Sequence, residues 1–373
     1  MNVDAIRADR KSLERADLDI AWHGSMSYVS LLADHLLWRD KAISTSPRFS
    51  RRQERAEAVA ALRDHAAPVP PTPLPELEGE GLDREAFLRA TEGGRRPVVL
   101  RGFVADTLAV KTWTEDVLRE RLRGQMCSIT YTDAERRKTW VDDGFATTKI
   151  PFEEFLDRVP HEDMFIGNSD ELVRLCPGLV DDLELSRIYE TFSAPNSRFD
   201  ELFTAGFFIA SRRIGAEVHC APGGNFFYNV VGRKRWTLYS PKLTVELQPL
   251  MPTRPFTFAL SALVGEHSRE ILGQDTDVLT RLPRYEVMLE PGDLLYNAPW
   301  WWHEVRNFSP LTVACAVRHM FPPLGPSPSF ANHPLFTAVS VYPALYTGVV
   351  LKQVHQRLTG DDAKKDLALA MAG

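Results

Sequence analysis

Two histidines and a lysine in the second half of the chain have the residue types and positions needed to hold a metal ion and an organic acid. His219 stands in the stretch EVHCAPGGNFF, and His303 follows EPGDLLYNAPWWW, each where a predicted strand meets a turn. Neutral imidazoles on rigid strands suit a borderline divalent metal such as Fe(II). Lys234 opens the strand after a predicted tight turn, so the hairpin folds it back toward the His219 strand, where its ammonium suits a carboxylate. A lone histidine in an apolar strand is usually a core residue, so the prediction depends on all three residues together.

The pattern lacks a third metal ligand. In the common iron site built from two histidines and one carboxylate, an aspartate stands two residues after the first histidine, but here that residue is Ala221. Glu217 could supply the carboxylate instead, since residues two apart on an extended strand point to the same face. A charge at the rim is the plainer interpretation of Glu217, because buried carboxylates are uncommon without a partner. Cys220 points the other way by the same alternation and is expected to pack in the core.

The elements that must position these residues are short strands. From residue 205 onward the chain has short β-branched and aromatic segments joined by tight turns, a pattern typical of an antiparallel sandwich or barrel. The predicted strands are GFFIASRRIG, NFFYNVV, KRWTLYS, RYEVMLE, DLLYNA, HEVRNF and LTVACAVRHM.

Composition and periodicity divide the chain into four parts. Residues 1–66 have helical periodicity and form a predicted N-terminal helical region. Residues 67–81 are rich in proline, which cannot continue a helix, and are predicted to be an extended linker. Residues 82–325 form the predicted main domain, and residues 326–373 a helical C-terminal tail through which the chain could form a homodimer.

The overall composition is that of an ordinary globular protein. The 373 residues are 44% hydrophobic and 25% charged, and the formal net charge of −6 gives no electrostatic reason to expect a nucleic-acid or anionic-membrane partner. No apolar run approaches membrane-spanning length, and the first residues lack the apolar core of a signal peptide. The four cysteines form no CxxC pair, which fits a reducing compartment, so the expected location is the cytoplasm.

Two motifs together resemble a known family. VHCAPGGNFFYNVVGRKRWTLYSP followed by EPGDLLYNAPWWWHEVRN is similar to the JmjC-type, cupin-like 2-oxoglutarate oxygenases, which include the asparaginyl hydroxylase acting on hypoxia-inducible factor. The resemblance implies a mainly β chain with flanking helices, folded as a double-stranded β-helix, or jelly-roll barrel. It also implies that His219 and His303 bind Fe(II), that Lys234 pairs with the 2-oxoglutarate carboxylate and that Asn225 lines the pocket.

Two residues depart from the pattern of that family. Ala221 replaces the carboxylate ligand, and Ala216 replaces a threonine whose hydroxyl bonds the cosubstrate in many members. A hydrogen bond of that kind is worth about 0.5–1.5 kcal/mol, so its loss weakens cosubstrate binding without abolishing it.

Three functions remain open after these departures. The first is an Fe(II)- and 2-oxoglutarate-dependent oxygenase with a two-histidine site that oxidises an unactivated C–H bond, most simply by hydroxylation. The second is a radical halogenase in which chloride uses the position opened by Ala221. The third is a cupin-like binding module without catalysis.

The sequence restricts the class of substrate less than it restricts the cofactor. Trp300, Trp302 and Arg318 are candidates for lining a substrate pocket, with core packing as the alternative for the tryptophans and a rim salt bridge for the arginine. A small molecule or a peptide or protein side chain would fit such a barrel mouth.

Overall fold

The protein was analysed as a computed structural model. It describes residues 3–37, 46, 48–63, 65, 67–132, 146–192, 203–250, 258–266, 268, 278–319 and 328–339. Over these residues it has two β-sheets that face each other, with helices around them.

The first sheet carries the histidines and the lysine. In the described residues its strands follow the order β1-β13-β10-β15-β8-β12-β11, and all the pairs are antiparallel except β1 with β13. Its strands are β1 (Thr72–Pro73), β8 (Gly215–Cys220), β10 (Lys234–Tyr239), β11 (Pro249–Leu250), β12 (Ala259–Ser261), β13 (Arg284–Leu289) and β15 (Trp302–Asn307).

The second sheet is larger and closes the other side of the barrel. Its described strands follow the order β2-β3-β14-β9-β16-β7-β6-β4-β5, and only β2 with β3 is parallel. These strands are β2 (Glu76–Glu78), β3 (Val98–Arg101), β4 (Met126–Tyr131), β5 (Ala146–Pro151), β6 (Met164–Ser169), β7 (Phe203–Ala210), β9 (Gly224–Val231), β14 (Leu294–Asn297) and β16 (Thr312–His319).

Contacts between the two sheets define the inner face of each. Phe227 of β9 meets Trp236 of β10 edge to face with ring centroids 4.7 Å apart, and Lys234 of β10 reaches Thr312 of β16. Alternate residues of a strand share a face, so these contacts fix which side chains point into the barrel. The predicted jelly-roll barrel in a mainly β chain with flanking helices is therefore confirmed.

Helices cover the outer faces of both sheets. On the second sheet, Phe87 packs against Phe226 and Tyr296, with ring centroids 5.8 and 5.0 Å apart. The described helices are α1 (Val3–Leu37), α2 (Phe49–Leu62), α3 (Arg84–Ala90), α4 (Leu108–Thr112), α5 (Glu115–Arg121), α6 (Phe152–Arg158), α7 (Asp170–Leu175), α8 (Pro177–Leu183), α9 (Ser186–Phe192), α10 (Val278–Arg281), α11 (Pro328–Asn332) and α12 (Pro334–Val339). No helix among the described residues is long and apolar enough to cross a membrane.

The proline-rich segment predicted to be a linker contributes an edge strand to each sheet. Within it, β1 pairs with β13, β2 pairs with β3, and Leu74 between them is buried in the main core. Edge positions tolerate proline because one side of the strand needs no amide donor. The segment 67–81 is thus part of the barrel domain rather than a free connection.

The N-terminal and C-terminal helices meet on the outer side of the first sheet. Arg52 of α2 forms a buried ion pair with Asp34 of α1, and Tyr28 of α1 packs edge-on against Phe336 of α12 with ring centroids 5.9 Å apart. The predicted dimer contact through the C-terminal tail falls largely on residues 340–373, which lie outside the described residues.

The packing of α3 on the second sheet gives a stability prediction. Phe87 is fully buried among aromatic rings, so Phe87→Ala should lower the free energy of unfolding by about 3–5 kcal/mol in urea denaturation. Phe330, with 53% of its surface exposed, is the matched control, and Phe330→Ala should change this free energy by less than about 0.5 kcal/mol. Equal losses in the two variants would contradict the described packing.

Candidate metal centre

The two histidines are direct neighbours across two paired strands. His219 on β8 is the register partner of His303 on β15, and their ring centroids are 4.1 Å apart with an interplanar angle of 52°. Both rings point to the inner face of the first sheet, since His303 also stacks on Trp236 with centroids 4.9 Å apart. The sequence prediction that these two histidines come together is met by this geometry.

The same hydrogen bond orients each imidazole. Nδ1 of His219 lies 2.7 Å from the carbonyl oxygen of Glu217, and Nδ1 of His303 lies 3.0 Å from that of Trp301. A carbonyl oxygen can only accept, so Nδ1 carries the hydrogen and Nε2 keeps its lone pair. Both rings are therefore in the tautomer in which Nε2 can bind a metal.

The surroundings of the two rings favour their neutral form. Burial lowers the pKa of His219 and of His303, and the positive charge of Arg318 lowers both pKa values further. Only a neutral imidazole offers a lone pair to a metal, so both side chains are ready to act as ligands near neutral pH.

Lys234 is buried on the inner face without an anionic partner among the described residues. Its Nζ donates to Oδ1 of Asn307 at 2.7 Å and to Oγ1 of Thr312 at 2.9 Å, and only 3% of the residue is exposed. An ammonium has three donors, so one remains for a further acceptor. Burial alone lowers the pKa of Lys234 to about 7, which a bound carboxylate would reverse.

The backbone at Ala221 connects the two histidine segments. The amide of Trp300, in the turn before His303, donates to the carbonyl oxygen of Ala221 at 2.8 Å. Ala221 itself has no side-chain ligand atom, and the described residues contain no cluster of three or more His, Cys, Asp or Glu side chains suited to a metal. Within this part of the chain the protein offers two ligands.

Glu217, the candidate third ligand, uses its carboxylate elsewhere. Its oxygens accept from the amide of Gly265 at 2.9 Å and from the hydroxyl of Ser268. Its charge raises the pKa of Glu304, which faces away from the barrel interior because it follows the inward-facing His303. The irregular register of β8 opposite β15 changes the simple alternation, so Glu217 does not share the inner face with His219.

The tryptophans predicted as pocket candidates are core residues. Trp300 and Trp302 are fully buried in the cluster beneath α1, where their Nε1 atoms donate to Thr337 and Thr244 at 2.8 and 3.0 Å. The prediction that they line a substrate pocket is corrected, because neither ring is open to the barrel mouth. Cys220 is buried in the same cluster, as expected for a packing thiol.

Asn225 and Arg318, by contrast, lie on the inner face of the second sheet. They are register partners on β9 and β16, on the same strand faces as Phe227 and Thr312. Arg318 is partly open to solvent, and burial lowers its pKa to about 10. Its place in a substrate pocket stays a prediction.

Several inward-facing polar groups were missed by sequence reasoning. Asn297, the register partner of Asn225, has its side-chain Nδ2 3.2 Å from Nδ1 of His303, a close contact rather than a hydrogen bond because this Nδ1 donates to the carbonyl oxygen of Trp301. Oδ1 of Asn297, Oδ1 of Asn225 and Nε1 of Trp236 are buried without a hydrogen-bond partner among the described residues. Strand alternation within NFFYN and DLLYN could have indicated that Asn225 and Asn297 point inward. Only the order of the strands shows that the two side chains lie near His303.

These groups fit an iron ion and 2-oxoglutarate. Two neutral imidazoles with free Nε2 atoms suit Fe(II), and the buried lysine with a free donor suits a carboxylate. Buried polar atoms normally have a hydrogen-bond partner. The side-chain oxygens of Asn225 and Asn297 and the indole N–H of Trp236 have none among the described residues, which indicates that a polar ligand fits this interior.

The burial of Lys234 predicts a characteristic pH dependence of stability. Its pKa is about 7 in the folded protein and 10.5 in the unfolded chain, so between these values the unfolded chain binds more protons. The contribution of Lys234 to the free energy of unfolding should therefore rise with pH by up to about 1.4 kcal/mol per unit from pH 7 to 10.5.

Lys234→Met provides the test, with urea denaturation of both proteins across this pH range in the absence of 2-oxoglutarate. The wild-type minus variant difference should rise with pH toward 10.5 and then level off. A difference that stays flat would show that the lysine remains charged and paired in the folded protein.

Comparison with known proteins gives relatives along most of the barrel. The chain is 28% identical over 247 residues to a tRNA wybutosine-synthesizing protein 5 of Danio rerio, covering 60% of this chain and 68% of the relative. It is 24% identical over 275 residues to the bifunctional arginine demethylase and lysyl-hydroxylase psr-1 of Caenorhabditis briggsae, covering 66% and 63%.

Among solved structures, the chain is similar to Escherichia coli ycfD, with a TM-score of 0.42 and 17% identity. That match covers 65% of this chain and 53% of the ycfD chain, so this protein spans about half the length of that relative. The model of the family described as the Cupin-like domain matches residues 84–319. The match takes in most of the barrel and both histidine segments, and the chain belongs to the Cupin-like domain family, as the JmjC-type motifs predicted.

Proposed function

We propose that this protein is an Fe(II)- and 2-oxoglutarate-dependent oxygenase with a two-histidine metal site. The observation that carries the proposal is the cross-strand pair of His219 and His303, each with Nδ1 bound to a carbonyl oxygen and Nε2 free. Membership of the Cupin-like domain family and the names of relatives such as psr-1, a demethylase and hydroxylase, support it.

Each inward-facing residue has a definite part in this function. His219 and His303 would hold the iron, Lys234 would bind a carboxylate of 2-oxoglutarate, and Asn225 and Asn297 would bond polar atoms beside it. When bound, Fe(II) and 2-oxoglutarate supply the activation of dioxygen needed to oxidise an unactivated C–H bond.

The chain contributes the orientation of the ligand side chains. Trp236 lies against His303 at an interplanar angle of 18°, and Phe227 packs edge-on against Trp236, so neither ring can rotate freely. The carbonyl bonds to Nδ1 keep both Nε2 atoms directed at the same region. Fixing the ligands before the metal arrives lowers the reorganisation that binding requires.

The proposed substrate is a protein side chain or a small molecule that enters the barrel. The psr-1 relatives are named for arginine demethylation and lysyl hydroxylation, which supports a side-chain substrate. Other relatives are named for wybutosine synthesis on tRNA, while the net charge of −6 favours an uncharged or protein partner here.

Halogenation is the second candidate because of two specific features. Ala221 leaves the third ligand position without a side-chain oxygen, and Arg318 places a positive charge near both histidines. An anion such as chloride would be favoured at such a position. If neither iron nor 2-oxoglutarate binds, the non-catalytic binding module becomes the better account.

The test is an anaerobic titration of the full chain with Fe(II) and 2-oxoglutarate, followed by visible absorption. We expect the charge-transfer band of the chelated keto acid in the wild type and no band in His219→Ala. The unfolding free energy of His219→Ala should stay within about 1 kcal/mol of the wild type, because the ring is partly exposed to the cavity. A chloride-dependent shift of the band would favour halogenation over hydroxylation.

His161→Ala is the matched control, since this histidine is exposed and lies outside the barrel interior. It should give the wild-type band. A band of equal strength in His219→Ala, or a folded wild type that gives no band, would contradict the proposed iron site.

A further inference from the structure

The barrel interior has an unusual balance of charge. Its inward-facing ionisable groups among the described residues are the two neutral histidines, Lys234 and Arg318. No described Asp or Glu raises the pKa of either cationic residue. Fe(II) and 2-oxoglutarate have equal and opposite charges, so binding both would leave Lys234 and Arg318 uncompensated.

Arg318 differs from Lys234 in that it cannot easily give up its charge. Burial lowers the pKa of Arg318 only to about 10, so the guanidinium remains protonated at neutral pH. Arg318 is partly open to solvent, and a cation among apolar walls raises the local concentration of anions. An anion is therefore the ligand that this guanidinium favours.

The guanidinium is fixed in place, with most of its donors unused by the described residues. One Nη atom donates to Oδ1 of Asn168, and the group lies over the ring of Phe208 with Cζ 5.7 Å from the centroid. A guanidinium has five N–H donors, so several remain for a ligand. On the same face of β16, the neighbouring residues Ala316 and Ala314 have small side chains.

Gly206 helps to position Arg318, because it leaves room for the side chain of Asn168. A Cβ at Gly206 would lie 2.5 Å from Oδ1 of Asn168, so only glycine leaves room for the asparagine that contacts the guanidinium. Asn168 itself has a positive φ of 51° at an irregularity of β6, a conformation that asparagine tolerates better than most residues. Three strands thus cooperate to hold one cation on the inner face.

We propose that Arg318 binds a small monovalent anion, either a halide ion or the carboxylate of a substrate, beside the His219–His303 pair. This anion is additional to the dicarboxylate at Lys234, and in that respect the inference rests on the proposed function. It supplies near the metal the negative charge that Ala221 does not. The identity of the anion distinguishes the two candidate functions, because a halide site would favour halogenation and a carboxylate site would favour an acidic substrate.

The test uses the metal-free full chain and measures the melting temperature by calorimetry at constant ionic strength with increasing sodium bromide or sodium formate. A specific anion stabilises the folded state in proportion to the logarithm of its concentration above the dissociation constant. We expect this response in the wild type. In Arg318→Gln the apparent dissociation constant should rise at least about tenfold, as expected for the loss of a charge-assisted hydrogen bond.

Two control variants test whether the anion response comes from Arg318 or from another cationic side chain. Lys234→Met should keep the Arg318-dependent response, and Arg213→Gln should behave as the wild type, because Arg213 is exposed and already paired with Asp163. If Arg318→Gln fails to fold, Arg318→Lys replaces it, with weaker binding expected from its fewer donors.

Gly206→Ala provides a variant that leaves every ligand-contacting group in place. Displacement of Asn168 should weaken the anion response as well as lower the melting temperature, whereas a purely structural glycine would affect only the latter.

The outcomes are distinct for the two anion sources. A response to bromide alone identifies a halide site, a response to formate alone identifies a carboxylate site, and mutually competitive responses identify a site that takes either. No response in the wild type, an unchanged response in Arg318→Gln, or complete loss of the response in saturating 2-oxoglutarate would overturn the proposal. Because no metal is present, these results stand apart from the iron titration.

Discussion

The pairing of β8 with β15 is the constraint on which the site depends. It sets His219 opposite His303, and in each case the carbonyl oxygen two residues earlier on the chain binds Nδ1. Because side chains alternate along a strand, a slip of one residue would turn one ring to the outer face. The hydrogen bond from Trp300 to Ala221 fastens the ends of the two segments against such a slip.

The second sheet supplies further inward-facing polar side chains of the site. Asn225 lies between Asn297 and Arg318 in register, so β14, β9 and β16 present a row of three polar side chains to the interior. Phe227 connects this row to the histidines through Trp236. The barrel therefore places Arg318 and the two asparagines of the second sheet opposite the imidazoles and Lys234 of the first, and neither sheet alone contains the site.

Much of this could be predicted from the sequence because alternation and turns govern strands locally. The strands carrying His219, Lys234 and His303 were predicted for that reason. The orientation of Glu217 could not be predicted from the sequence, because the irregular register of β8 breaks the alternation on which its candidacy as a ligand depended. Trp300 adopts a positive φ of 62°, a backbone conformation that the sequence WWW does not predict. This turn directs the rings of Trp300 and Trp302 into the core beneath α1. The edge pairing of the proline-rich segment could not be predicted from the sequence, because it depends on the strand order of both sheets.

The polar interior itself argues that the barrel holds a ligand. A buried polar group without a partner costs about 1–3 kcal/mol, and an enclosed charge costs more. Apolar side chains on the same strand faces would fill the barrel without that cost, yet Lys234, Arg318 and the two asparagines occupy it. A ligand with negative charge and hydrogen-bonding atoms would offset this free energy cost. Ala221 therefore lies in a site whose remaining residues suit such a ligand.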